Sequence, residues 1–304
     1  MEAEQEQFCA HLAREGGDPL LGTATQVKVW LLLEYREPWR AKATTDNDLP
    51  ARVQSYLTEQ LAAIPDSRLL FIKQQNPAQA KLRFFVVRTD EAAPEIDEFE
   101  LGAYEELLAL PISAVAAGDD SSSSQPRQEP LFLVCTNGRR DKCCAKFGLP
   151  LYKALLDYVA ESTWQASHIG GHRYAPNVLV LPHSVNYGHL TPAEIGAVVD
   201  AYLKGQLYDL DSYRGRTYYA PHVQAADTFL RRELGHLDLT GMQLRSTELV
   251  EEDTWRVQFI LTATGETHEI VLHSHKTEQP RLISCSSPAI KAAPRYQLLD
   301  HKIV

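Results

Sequence analysis

The chain has 304 residues, of which 44% are hydrophobic, and carries a formal net charge of −10. This length allows two domains and a small third, and the acidic charge argues against general binding to nucleic acids or to anionic membranes. No run approaches the roughly 18 apolar residues of a membrane span, and the acidic, amphipathic N-terminus does not resemble a signal peptide. We therefore expect a cytoplasmic protein.

Hydrophobic runs in residues 1–120 predict an N-terminal α/β segment in β-α-β-β order. The predicted strands are 27–35, 68–73 and 82–88, the predicted helix is 51–63, and 99–110 is a short strand or helix. The polar stretch "GDDSSSSQPRQEP" follows, and within it we interpret residues 121–129 as a linker or an exposed loop.

Residues 130–206 predict a second unit in β-α-β-β-β-α order. Its predicted strands are 131–135, 163–168, 177–182 and 185–190. Its predicted helices are 150–160, which Pro150 opens, and 192–204. The first two strands must be parallel because a helix connects them, and the others can pair as a hairpin. We therefore predict an α/β (α+β) chain in which this unit is a thioredoxin-like domain with a mixed sheet. The similar order of residues 1–120 suggests a degenerate thioredoxin-like half, produced by an internal structural duplication.

Residues 207–304 predict a C-terminal appendage made of a small helix and antiparallel strands. The helix is expected at 222–234, and the strands are expected at 254–262, 267–274 and 280–285.

The chemistry of the chain is concentrated in two pairs of residues. Cys135 and Cys144 are separated by eight residues, and His168 and His172 by three. The first cysteine and the first histidine follow two strands that we predict to be parallel, and the ends of such strands meet at one edge of a sheet. The glycines at 170 and 171 allow a tight turn between the histidines. We therefore expect two thiols and two imidazoles to converge.

Cysteine spacing bears on which metal such a site would hold. Structural zinc usually takes its cysteines from a tight knuckle, and eight intervening residues are too many for one. A [2Fe–2S] cluster contains two metals and tolerates wider spacing, and Rieske centres use two cysteines and two histidines.

The run "VCTNGRRDKCCAKFG", followed by "HIGGHRYAPNVLVLP", resembles the sucrase/ferredoxin-like family of thioredoxin-like [2Fe–2S] proteins. Ordinary thioredoxin-like ferredoxins have C-x₃-C where this chain has H-x₃-H, so the chain resembles the bis-histidinyl branch. The resemblance implies a [2Fe–2S] cluster with Cys135 and Cys144 on one iron and with His168 and His172 on the other. Cys144 is preferred to Cys143 because a small residue follows it. No carboxylate motif identifies a glycosidase.

Basic residues surround the predicted site. Arg139, Arg140 and Arg173, with Lys142, belong either to a solvated loop or to a surface that offsets an anionic cluster and docks an acidic redox partner. The two remaining cysteines, Cys9 and Cys285, are interpreted as small buried hydrophobic residues.

The sequence therefore favours an electron carrier, with an unknown redox protein as donor or acceptor, over a catalyst. Neutral imidazole ligands should raise its reduction potential above that of an all-cysteine ferredoxin and couple it to protons. Two alternatives remain open: a thiol-based redox enzyme that uses Cys135 or the cysteines at 143 and 144, and a binding module with structural zinc.

Overall fold

A computed structural model of the chain describes residues 8–75, 80–119 and 125–304. The N-terminal half forms α1 (Cys9–Glu15), β1 (Val29–Glu34), α2 (Ala51–Ala63), β2 (Ser67–Lys73), β3 (Leu82–Arg88), β4 (Glu95–Leu101), α3 (Ile112–Ala116) and β5 (Gln125–Pro126). The stretch predicted at 99–110 is the end of β4 followed by a 3-10 helix, Tyr104–Ala109. The predicted linker at 121–129 lies in part outside the described residues, and its described part contains β5.

The middle of the chain has the predicted order of elements. It forms β6 (Leu131–Cys135), α4 (Lys142–Val159), β7 (Thr163–Ala166), β8 (Asn177–Leu181), β9 (Val185–Gly188) and α5 (Ile195–Leu203). Short 3-10 helices occur at Ala160–Ser162, His172–Tyr174 and Pro192–Glu194.

The C-terminal part contains more strands than the sequence predicted. It forms β10 (Tyr213–Arg216), α6 (Pro221–Leu234), β11 (Met242–Glu251), β12 (Thr254–Leu261), β13 (Thr267–Lys276), β14 (Arg281–Ser284), β15 (Ser287–Lys291) and β16 (Pro294–Ile303). A four-stranded antiparallel sheet has the order β11-β12-β13-β16, and β14 and β15 form a separate hairpin. Apolar residues of α6 pack against the four-stranded sheet.

A ten-stranded sheet contains the strands of the first two parts together with β10, in the order β10-β9-β8-β6-β7-β2-β1-β3-β4-β5. In each half, the first strand is parallel to the second and antiparallel to the third. The halves meet where β2 pairs antiparallel with β7, with Ile72 opposite Ala166. The predicted α/β class with a mixed sheet is therefore confirmed, and the two halves share one pattern of strand pairing.

The start of α4 differs from the prediction. We expected a helix from Pro150, because proline is common in the first turn, but the helix begins at Lys142 and Pro150 lies inside it. Asp141 explains the earlier start, because its side-chain oxygen accepts a 2.9 Å hydrogen bond from the backbone N–H of Cys143. As a result, Cys143 and Cys144 lie in the first turn of a helix and not in a polar loop.

One hydrophobic core cluster extends along a face of the large sheet through both halves. It includes Trp30 and Leu70 from the first half and Leu133 and Trp164 from the second. Cys135 and Cys144 also belong to it, so the candidate ligands are fixed by packing. Within the described parts of the chain, no helix has the length and apolar character needed to cross a membrane.

Candidate metal centre

The candidate centre lies at the edge of the sheet where two parallel strands end. Cys135 is the last residue of β6 and lies opposite Ala166, the last residue of β7. His168 lies two residues further on, in the loop after β7. The β-α-β connection with parallel strands thus places a thiol and an imidazole at one edge of the sheet.

Helix α4 brings the second thiol to this edge by packing very closely on β6. A Cβ atom added to Gly148 would lie 2.2 Å from the carbonyl oxygen of Cys135. Only glycine allows this approach, which places the first turn of the helix, and Cys144 with it, beside the end of the strand.

The loop between the two histidines depends on two glycines with positive φ. Gly170 has φ of 120° and Gly171 has φ of 75°. A Cβ atom at Gly170 would lie 2.4 Å from Oγ1 of Thr25, and one at Gly171 would lie 2.6 Å from Nη2 of Arg214. Both positions therefore require glycine for backbone conformation and for space.

The structure brings the four predicted donor residues together. The Sγ atom of Cys135 lies 4.0 Å from Nδ1 of His168, and the Sγ atom of Cys144 lies 3.5 Å from Nδ1 of His172. The two imidazole rings stack with their centroids 4.4 Å apart. Both thiols are buried, and both histidines are half-buried.

The two thiols of the centre behave as a coupled pair. The pKa of Cys135 lies well below its ordinary value, because its sulfur accepts a hydrogen bond from Cys144 and a further one from His168. The pKa of Cys144 is raised, because its thiol donates to Cys135 and because it is buried. Burial, together with the neighbouring His168, lowers the pKa of His172 to about 4. The low pKa of Cys135 favours its thiolate form, and the imidazole of His172 is neutral at neutral pH, and these are the forms that bind metals.

Two arginines that the sequence did not single out, the half-buried Arg68 and the buried Arg214, donate hydrogen bonds to the histidine loop. Arg68 in β2 donates to the carbonyl oxygens of His168 at 2.8 Å and of Ile169 at 3.0 Å. Arg214 in β10 donates to the carbonyl oxygen of Gly170 at 3.1 Å. Neither arginine lies in a motif, and both are distant in sequence from the loop. Arg214 lies in a stretch for which the sequence predicts neither a helix nor a strand.

The predicted neighbours of the site have different environments. Arg139 is exposed and Arg140 is half-buried. Arg173 is buried and forms an ion pair with Asp18 at 3.4 Å, so it connects the 3-10 helix at His172–Tyr174 to the loop after α1. The side chain of Cys143 lies in a separate cluster with Cys9.

The donor set of the centre fits a soft or borderline metal. The donor atoms of Cys135, Cys144 and His168 all lie within 4.8 Å of one another. Sulfur and imidazole nitrogen suit zinc and iron–sulfur clusters, whereas magnesium and calcium require oxygen ligands. The group is therefore a possible Cys/His metal site.

Two known proteins are similar in sequence to part of this chain. It is 36% identical over 98 residues, 29% of this chain and 34% of the relative, to altered inheritance of mitochondria protein 32 of Meyerozyma guilliermondii. It is 35% identical over 95 residues, 28% of this chain and 35% of the relative, to the protein of the same name in Debaryomyces hansenii. The match thus covers about a third of these relatives' length.

No solved structure is significantly similar to the chain. The family model described as sucrase/ferredoxin-like matches residues 20–215, which is more than half of the 304 residues and includes both cysteines and both histidines of the centre. The chain belongs to the sucrase/ferredoxin-like family.

Proposed function

We propose that this protein is an electron carrier with a [2Fe–2S] cluster bound by Cys135, Cys144, His168 and His172. The observation that carries the proposal is the convergence of two buried thiols and two imidazoles, with both Nδ1 atoms directed at the sulfurs. When bound, such a cluster accepts and releases single electrons. The name of the family, ferredoxin-like, supports this choice over zinc.

The residues of the chain contribute ligands, orientation and charge. Arg68 and Arg214 keep the histidine loop in place through its carbonyl oxygens, so the imidazoles reach the thiols without further movement. The same guanidinium groups lie close enough to interact electrostatically with Cys135. Their positive charge favours thiolate ligands and the additional negative charge of a reduced state.

The Nδ1 atoms face the thiols, so we propose that they are the ligating nitrogens of both histidines. Each imidazole then retains a proton on Nε2, and this proton can titrate when the charge of the bound iron changes. We therefore propose that electron transfer is coupled to proton transfer. The redox protein that donates or accepts the electron is unknown, and the exposed Arg139 offers a contact for an acidic partner.

We also propose that the protein acts in a reducing compartment, with the cytoplasm as the first expectation. All five cysteines are free, and their arrangement in clusters suits metal binding better than disulfide bonding. The two relatives are named for the inheritance of mitochondria, so fractionation should test mitochondria as well as cytosol.

The test is the absorption spectrum and metal content of the full chain, purified without oxygen from iron-replete cells. We expect a brown protein with about two irons and two acid-labile sulfides per chain in the centre. Zinc at the same four residues, without sulfide, would support the structural zinc alternative. Protein without metal at these residues would leave the thiol-based redox enzyme as the better interpretation.

A further inference from the structure

The three cysteines outside the candidate centre form a second cluster. The Sγ atom of Cys143 lies 3.5 Å from that of Cys9 and 3.3 Å from that of Cys285. A carboxylate oxygen of Asp141 lies 4.0 Å from the sulfur of Cys9. The donor atoms of these four residues all lie within 4.8 Å of one another. From the sequence alone, Cys9 and Cys285 are interpreted as small buried hydrophobic residues, and the structure shows that they are neighbours.

Three distant segments of the chain supply these thiols. Cys9 is the first residue of α1, Cys143 lies in the first turn of α4, and Cys285 lies in the turn between β14 and β15. Cys9 and Cys285 are 276 positions apart in the sequence. The cluster thus connects the N-terminal helix and the C-terminal hairpin to the helix that carries Cys144.

Asp141 sets the positions of two of the three cysteines. Its Oδ1 atom accepts from the backbone N–H of Cys143 at 2.9 Å, and its Oδ2 atom accepts from the backbone N–H of Cys285 at 2.8 Å. The hydroxyl of Ser284 also donates to Oδ2, at 2.7 Å. The carboxyl group is fully buried, so it presents a fixed negative charge beside the sulfurs. A carboxylate oxygen has more than one lone pair and can accept these hydrogen bonds while it ligates a cation.

The distances match those of a tetrahedral thiolate site. Zinc lies about 2.3 Å from cysteine sulfur, so two ligands of a tetrahedron are about 3.8 Å apart. The distances from the sulfur of Cys143 to those of Cys285 and Cys9, 3.3 and 3.5 Å, and from the sulfur of Cys9 to Asp141, 4.0 Å, lie on both sides of this value. Three sulfurs and one oxygen make a donor set that selects soft or borderline metals and disfavours magnesium and calcium. Packing against apolar neighbours such as Phe8 and Phe147 explains why Cys9 and Cys143 are buried and Cys285 is half-buried, but not why the three thiols surround a carboxylate.

We propose that Cys9, Cys143, Cys285 and Asp141 bind one zinc ion in a closed structural site, separate from the centre at Cys135 and Cys144. Zinc would hold α1 and the β14–β15 hairpin on the start of α4, as structural zinc does in small domains. The hairpin also contacts the neighbouring 3-10 helix, where Arg173 donates to the carbonyl oxygen of Lys291 at 2.9 Å. The zinc site would thereby fix the segment that follows His172. This proposal stands independently of the proposed iron–sulfur cluster.

The test separates the two centres by mutation in the full chain. A Cys135→Ser/Cys144→Ser double variant should bind about one zinc per chain and no iron. The single variants Cys9→Ser and Cys285→Ser should keep iron and sulfide but bind zinc at least about tenfold more weakly, measured by competition with a chromogenic chelator. Ser286→Ala, in the same turn as Cys285 but exposed, is the matched control and should bind zinc like the unmodified chain.

A second measurement does not require the single variants to fold. Cobalt(II) added to the Cys135→Ser/Cys144→Ser variant should produce ligand-field bands of tetrahedral cobalt and a thiolate charge-transfer band. The proposal is overturned if the double variant binds neither zinc nor cobalt, or if both single variants bind zinc as tightly as the unmodified chain. A disulfide between any two of the three cysteines, mapped by alkylation in protein kept without oxygen, would also overturn it and assign the cluster to thiol–disulfide chemistry.

Discussion

Cys143 and Cys144 are adjacent in the chain, but their thiols belong to different clusters. The sulfur of Cys143 lies 3.3 Å from that of Cys285, whereas the sulfur of Cys144 lies 3.5 Å from Nδ1 of His172. The first turn of α4 separates them, because consecutive residues of a helix do not face the same side. Two adjacent cysteines thus belong to two separate groups of possible metal ligands.

This separation predicts opposite results for two serine variants. Cys144→Ser should lose most of the iron and the brown colour, because it removes a proposed ligand. Cys143→Ser should retain both, because its side chain points into the second cluster. Iron and sulfide analysis of both variants, prepared without oxygen, checks the prediction. Loss of iron from Cys143→Ser, with retention by Cys144→Ser, would reverse the assignment of the ligand.

The convergence of the two cysteines and two histidines could be predicted because it depends on local pattern and on topology. Cys135 ends a hydrophobic strand, His168 follows the next strand, and a helix between them makes these strands parallel. The second cluster could not be predicted, because nothing local relates Cys9 to Cys285 across 276 positions. Their meeting depends on the packing of α1 against a hairpin whose strands carry no clear alternation.

Local signals also explain which boundaries were predicted well. The helix at 192–204 was predicted from Thr191 and Glu194, and the structure contains the reciprocal capping box that these residues form. The start of α4 was predicted too late, because Pro150 is a stronger signal in the sequence than Asp141. The hydrogen bonds of Arg68 and Arg214 to the histidine loop could not be predicted, because arginine in a strand is usually exposed.

The arginine in β2 provides a second prediction. Arg68→Gln should lower the free energy of unfolding by about 1–3 kcal/mol, because two loop carbonyls lose a charged donor. It should also lower the reduction potential, because a positive charge near Cys135 disappears. Arg68→Lys is the matched control, since it keeps the positive charge but cannot donate the two hydrogen bonds of the guanidinium group. We expect this variant to have lower stability and a nearly unchanged reduction potential. Denaturant unfolding and redox titration measure the two effects, and equal potentials in both variants would contradict the electrostatic role.

Two glycines with similar backbone conformations provide a third prediction. Gly171 has φ of 75° and Gly205 has φ of 74°, but only Gly171 has neighbours that a Cβ atom would strike. Gly205→Ala should therefore cost only about 1–2 kcal/mol of stability, the cost of the left-handed conformation, and should keep its iron. Gly171→Ala should lower the stability by more than this and should lose iron, because its Cβ atom would displace the side chain of Arg214. Similar stability and similar iron content in the two variants would show that the loop tolerates the clash.

Stability should also fall in acid for a reason unrelated to metal. His183 accepts or donates a 2.7 Å hydrogen bond with the hydroxyl of Tyr202, and burial lowers its pKa to about 4. The folded chain therefore binds fewer protons than the unfolded chain between the ordinary histidine pKa of about 6.5 and this lower value, so stability decreases as the pH falls through that window.

The matched variant for this effect is His183→Gln, which cannot be protonated in the same range. Urea unfolding at several pH values between roughly 7 and 4 should show a shallower loss of stability in the variant, with a difference of up to about 3 kcal/mol at the acid end. An identical pH dependence in both proteins would show that His183 does not contribute.

The last prediction concerns protons at the proposed iron ligands. A ligating histidine keeps a proton on the nitrogen that does not bind iron, and the pKa of this proton depends on the charge of the iron. Oxidation lowers the pKa and reduction raises it, so between the two values the reduced protein carries a proton that the oxidised protein lacks. The potential should be flat at low pH, should fall above the oxidised-state pKa by up to about 59 mV per pH unit for one proton per electron, and should level off above the reduced-state pKa. Two titrating histidines would make this slope steeper.

Redox titration of the purified protein between roughly pH 5 and 10 measures this dependence, over a range that brackets the ordinary histidine pKa. His168→Cys is the informative variant, because thiolate supplies a ligand without a titrating N–H: the potential should be lower at every pH, and its slope should decrease because only His172 can still titrate. A potential that stays constant with pH while the cluster remains intact would rule out the coupling. Such a result would also count against the binding of iron by His168 and His172 themselves.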